Sequence, residues 1–168
     1  MGKVLKHELT RTLSPPTVRQ STADEAGRIA AWNVAMAAET EGVQLDLPTV
    51  EAGVRAVFQG RAGTFYLTCE VVDEAAGQLM VTREWSDWRN RWVYWIQSVY
   101  VHPDHRGRGV YTAMHQAVVD RARRDGAGGV RLYVDTTNHR AATVYAKVGM
   151  DGEHYQVFEQ MFADEETR

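Results

Sequence analysis

The 168-residue chain has one cysteine, four prolines and no long apolar run, and each shortage excludes something. A lone Cys69 cannot close an internal disulfide, which fits a reducing, cytoplasmic setting. It alternates with Phe65, Leu67 and Val71, so a small buried hydrophobe is expected there, not a nucleophile. No stretch approaches the roughly 20 apolar residues of a membrane-spanning helix, and residues 1–14 lack the apolar core of a secretion signal. A net charge of −3 offers no general attraction to nucleic acid. No His, Cys and Asp cluster has metal-ligand spacing, so no metal is expected. The prolines fall where elements should begin or end. Pro15 and Pro16 close a polar tail (residues 1–16), Pro48 sits in a first helical turn, and Pro103 ends a strand.

What is present is a globular composition, 44% hydrophobic and 24% charged, in a length that suits one domain. Residues 17–20 read as a short strand. Ser21 or Thr22 caps a helix, with Glu25 placed for a capping box and Ile29, Trp32 and Met36 on the apolar face. An acidic link, Glu39-Thr40-Glu41-Gly42, runs on to Asp46, which caps a second helix with the stripe Val50, Val54, Val57 and Phe58. Three strands at hairpin spacing follow, 64–72, 78–84 and 92–101, joined by turns at 73–77 and 86–90. A helix to about Arg124 ends at Gly126, Gly128 and Gly129. Residues 130–135 are a strand, Asn138 opens a short helix that Gly149 closes, and 154–162 form a last strand before a charged tail, 163–168. The order β-α-α-β-β-β-α-β-α-β describes one α/β domain with a mixed sheet over residues 17–162.

The stretch from Trp92 to Tyr111 carries the chemistry. An aromatic and β-branched run stops near Val101, ahead of Pro103. Arg106-Gly107-Arg108-Gly109 then makes a short basic loop, and Val110, Met114, Ala117, Val118 and Arg121 begin a helical period. Glycines let backbone N–H groups approach a phosphate closely, a helix N-terminus adds unsatisfied donors, and arginines add countercharge. This is an anion cradle. It is not a P-loop, because no Gly-Lys-Ser/Thr follows. It is not a Rossmann fingerprint, because its strand comes fourth in order.

On these residues the chain resembles the GNAT superfamily of acetyl-CoA-dependent N-acetyltransferases. The family signature Arg/Gln-x-x-Gly-x-Gly/Ala is matched at Arg106 to Tyr111, after a strand and a Pro-containing turn. A second block, Asn-x-x-Ala-x-x-x-Tyr with a following Gly-Met, is matched at Asn138, Ala141, Tyr145 and Gly149-Met150. The resemblance implies a GNAT fold and acetyl transfer from acetyl-CoA to a primary amine by direct attack in a ternary complex. It implies that Arg106, Gly107, Arg108, Gly109, Val110 and Tyr111 wrap the pyrophosphate. Val99, Tyr100 and Val101 would lie along the pantetheine, with Asn138 and Ala141 at its end. Tyr145 would protonate the leaving thiolate. On residue chemistry alone, Asn138 is also a plain helix cap and Tyr145 also a plain core aromatic.

Two departures stand out. Tyr111 replaces the family's small residue, and an outward tilt along the cofactor is expected. The fourth strand carries no carboxylate where many members place a general base; its nearest polar side chain, Gln97, cannot take a proton and is a candidate acceptor contact. Glu39, Glu41 and Glu84 are the candidate bases, each also readable as a solvated carboxylate. Three tryptophans crowd into residues 85–92, and Trp85 reads as an acceptor wall, a homodimer contact or core packing. The acceptor is a small-molecule or peptide amine, with nucleic acid and membrane not expected. A non-catalytic acyl-CoA-binding module is the alternative, and a generic nucleotide-phosphate binder a third reading.

Overall fold

A computed structural model describes residues 15–61 and 63–162. The expected tails therefore lie almost wholly outside the described residues. The chain forms two units, one ending at Arg131 and one beginning at Leu132.

The first unit is a five-stranded sheet with three helices. In chain order these are β1 (Thr17–Gln20), α1 (Ala26–Thr40), α2 (Leu47–Phe58), β2 (Phe65–Val71), β3 (Glu74–Ser86), β4 (Arg91–Val101), α3 (Val110–Arg124) and β5 (Val130–Arg131). The sheet order is β1-β2-β3-β4-β5, antiparallel except for the parallel β4–β5 pair, so the expected mixed α/β sheet is present. The helix starts follow local chemistry. Thr22 N–H donates to Glu25 Oε2 at 2.8 Å across a 3-10 turn that leads into α1. Asp46 Oδ2 accepts from the Thr49 amide at 3.0 Å to cap α2. Val54 is buried, and Val50, Val57 and Phe58 pack beside it on Ala26, Ile29, Ala30 and Tyr66. α1 runs to Thr40, so Glu39 lies on its last turn and not in the link.

The turn after β2 differs from expectation. β3 begins at Glu74, because Val72 and Asp73 take φ of 54° and 62° and make a two-residue turn. Gly77 is therefore a strand residue, placed where a side chain would strike α3. On the opposite face of β3, Gln78 donates to the Ile29 carbonyl and to Asn33 Oδ1, at 3.1 and 2.9 Å. The sheet thus lies between α1 on one face and α3 on the other. Cys69 is fully buried in β2, and burial pushes its thiol up to about 11, as suits a packing residue.

The second unit holds one helix, α4 (His139–Lys147), among the described residues. The expected strand 130–135 shortens to Val130–Arg131, and the expected last strand, 154–162, forms no ladder. A strand needs a neighbour to satisfy its backbone, and the described residues of this unit contain none. Its aromatic residues Tyr155, Phe158 and Phe162 stay exposed.

Candidate active site

The site begins with a break in the β3–β4 ladder. Gln78 pairs with Tyr100 and Met80 with Gln97, so Leu79 alone faces both Ser98 and Val99. β4 therefore carries a bulge, with Ser98 at φ 50°. The extra residue shifts the phase of the strand. Tyr94 donates its hydroxyl hydrogen to Asp125, at the end of α3. Tyr100, also even-numbered, packs instead on Trp32 of α1, ring centroids 5.2 Å apart. Beyond the bulge no strand among the described residues pairs with the far edge of β4, since β5 pairs at Tyr94 and Trp95. The backbone of Val99, Tyr100 and Val101 thus borders an edge without a strand in this unit. Tyr100 is itself a core residue, and burial raises its phenol.

From Val101 the chain returns to β3, the His102 amide donating to the Ala76 carbonyl at 2.9 Å, and then makes a 3-10 turn over Pro103–His105. Gly107 and Gly109 follow at φ 74° and 79°, and Gly109 caps α3. No atom lies within 4 Å of where a Cβ would stand on either glycine, so the space before them is open. Left-handed glycines leading into a helix start aim successive N–H groups outward, which is a geometry that holds a phosphate. The residues present fit the pyrophosphate of CoA on that ground. Arg108 makes no ion pair among the described residues and sits exposed beside the loop.

Arg106 is engaged differently. Its Nε donates to the Val101 carbonyl at 3.0 Å, and its two Nη groups donate to the two carboxylate oxygens of Glu39 at 2.6 and 2.7 Å. Tyr111 departs from its expected outward tilt. It is 8% exposed, with its ring 5.9 Å from that of His115, because helical spacing sets it on the buried face with Met114, His115 and Val118. Its backbone still belongs to the first turn of α3. Burial lowers the pKa of His115, favouring the neutral ring.

In the second unit Asn138 is the cap of α4, its Oδ1 accepting from the Ala141 amide at 3.0 Å. Gly149 closes the helix at φ 83°. Tyr145 lies on α4 four residues after Ala141, half-buried, and burial raises its phenol above the usual value.

The candidate bases are not equivalent. Glu39 is tied to Arg106. Glu84 pairs with Arg131 at 3.1 Å and accepts from the Trp95 indole. Glu41, the residue after α1, makes no ion pair among the described residues. Gln97 donates to Thr82 Oγ1 at 3.0 Å, across the β3–β4 pair. Trp85 stands edge-on to Trp92, centroids 5.2 Å apart, and Trp88 is 88% exposed at the hairpin tip, which removes core packing as the reading of this segment. From Trp92 to the bulge is about 20 Å along the strand, so the fold does not bring Trp85 to the loop.

Ser98, the Glu39–Arg106 pair and the close-packed Gly77 are the features that sequence reading missed. None of the three had a clear local signal, since Gly77, next to Ala75 and Ala76, reads as a turn residue.

The Acetyltransferase (GNAT) family model matches residues 29–150. A possible acetyltransferase from Clostridium difficile 630 is 32% identical, superimposes with a TM-score of 0.80, and covers 89% of this chain and 99% of its own. An L-methionine sulfoximine/L-methionine sulfone acetyltransferase of Pseudomonas paraeruginosa is 28% identical over 132 residues, 77% of this chain and 76% of that one. An uncharacterized N-acetyltransferase of Methanocaldococcus jannaschii is 31% identical over 87 residues, which is 51% of this chain and only 38% of that relative. With a bulged fourth strand, a left-handed glycine loop at a helix start, and a family match over most of its length, the chain belongs to the GNAT acetyltransferase family.

Proposed function

We propose that the protein transfers an acetyl group from acetyl-CoA to a primary amine, by direct attack of the amine on the thioester. The observation that carries this is the run from the β4 bulge into the Gly107–Gly109 loop and the first turn of α3. Backbone N–H groups of residues 107–111, with the exposed Arg108, hold the pyrophosphate. Main-chain groups of Val99 and Val101 hold the pantetheine amides, and an N–H aimed at the thioester carbonyl stabilises the oxygen as negative charge develops. The amine forms a C–N bond while the C–S bond breaks, and Tyr145 supplies a proton to the departing sulfur. The raised pKa of Tyr145 keeps that proton on the phenol at neutral pH. The amine's own proton passes to Glu41, the base candidate with no ion pair among the described residues. The Pseudomonas relative is named for amino-acid acceptors, so small amino-acid amines head the acceptor panel.

The test is CoA release from acetyl-CoA across a panel of amines, with Tyr145→Phe and Glu41→Gln. An active wild type and a Tyr145→Phe variant slower by about 10²-fold or more, with unchanged CoA affinity, are expected. A full-rate Tyr145→Phe enzyme would remove Tyr145 from the chemistry. A second reading, a non-catalytic acyl-CoA-binding module, draws on Gln97 in place of a strand carboxylate and on the ion-paired state of Glu39 and Glu84. CoA binding without turnover of any amine would favour it.

A further inference from the structure

We propose that Glu39 is a positioning residue for the CoA cradle, holding Arg106 as a clamp that sets the 106–109 loop before the donor arrives. The inference rests on the donor reading above. Arg106 uses its whole fork within the chain: Nε on the Val101 carbonyl at 3.0 Å, Nη1 and Nη2 on Glu39 at 2.6 and 2.7 Å. A bidentate carboxylate pair is the most directional hold a guanidinium can find. It ties three pieces together: the last turn of α1, the end of β4 and the first residue of the loop. Among the described residues no side chain fastens Gly107, Arg108 or Gly109 in the same way; the Gly109 carbonyl only accepts from the Ala113 amide at 2.9 Å as part of the first turn of α3. Both glycines stand at left-handed φ with open space around them, so without the clamp the loop would sample many conformations and lose affinity on ordering.

The arrangement also divides labour between the two arginines. Arg106 is a fastening whose charge Glu39 offsets, and Arg108 is the countercharge for the anion. Two effects of Glu39 oppose each other. Its negative charge near the cradle repels phosphate, and its hold on Arg106 preorganises the cradle. The 24% exposure of the Arg106 side chain and 47% of Glu39 leave the charge well screened, so the geometric hold dominates.

The test is titration calorimetry of the full chain with CoA. Glu39→Gln is near-isosteric and half-exposed, so folding should survive, and Glu39→Asp keeps the charge. Glu51→Gln is the matched control, because it breaks an exposed pair on α2, Arg55–Glu51 at 2.5 Å, that does not touch the loop. The expected order of affinity is wild type, then Glu39→Asp, then Glu39→Gln weaker by about fivefold, with Glu51→Gln equal to wild type. Unchanged or tighter CoA binding in Glu39→Gln overturns the proposal, and so does an equal loss in Glu51→Gln, which would mark a general stability effect. A wild type that fails to bind CoA at millimolar concentration would instead remove the donor reading, and the clamp's purpose with it.

Discussion

Gly77 offers a quantitative test of how the sheet supports the cradle. A Cβ there would stand 2.8 Å from Val110 Cγ1, 2.9 Å from the Tyr100 carbonyl oxygen and 3.3 Å from Met114 Cε. The carbonyl belongs to the β4 backbone beside the bulge and cannot retreat alone. Val110 is 2% exposed and is the first residue of α3, so relieving the clash means displacing the helix start on which the proposed anion site rests. Overpacking of this kind costs about 1–3 kcal/mol. Replacing glycine returns about 0.4–1 kcal/mol by restricting the unfolded chain. The net loss for Gly77→Ala is therefore about 1–2 kcal/mol, or about 2–8 °C in Tm at this chain length. Gly128→Ala is the control. The atoms nearest its Cβ would be Arg91 and Arg89 side-chain carbons at 3.0–3.1 Å, and those long side chains can swing aside. Scanning calorimetry should show a clear drop for Gly77→Ala and a change within about 1 °C for Gly128→Ala. CoA affinity should fall only in the first. Equal Tm values for Gly77→Ala and wild type, or equal drops for both glycines, would refute the packing argument.

Two further outcomes test the scaffold. Burial alone would raise the Glu25 carboxyl, but hydrogen bonds from Arg19 and the Thr22 amide, with the charges of Arg19 and Arg28, hold it at about 2. Its folded pKa lies below the unfolded value, so its stabilisation is fully present above about pH 4.5 and is lost as pH falls towards 2. Discounted for the half-exposed Arg19, this amounts to on the order of 1–2 kcal/mol. Urea midpoints measured between pH 6 and 2.5 should fall less steeply in Glu25→Gln than in wild type; parallel slopes would count against the network. At the bulge, Ser98→Gly should stabilise by about 0.5–1 kcal/mol and Ser98→Val destabilise by about 1–2 kcal/mol, because φ of 50° suits glycine and disfavours a β-branched residue. Chemical denaturation of both variants checks it, and a well-tolerated valine would mean that the strand carries no strain there.

What was legible in the sequence was what neighbours in the chain decide. Asp46 and Asn138 cap their helices by reaching three residues ahead, and both roles were visible in the order of residues. The loop of residues 106–109 was visible for the same reason, since glycines and a helix start stand together. The turn after β2 was misplaced because Val72, a β-branched residue, takes a φ that local preference argues against, while Gly77 advertised a turn and served a close packing contact instead. The bulge at Ser98 needs a count of residues on two strands, which no single segment contains. The last strand, 154–162, had a fitting pattern, yet a pattern supplies no partner for a ladder. Arg106 shows the consequence for function. As a letter in a basic glycine motif it reads as countercharge for a phosphate. A carboxylate 67 positions earlier in the chain takes up its guanidinium. A motif arginine contributes charge to an anion only if the fold leaves its fork unpaired, and here that condition points to Arg108 and to the backbone.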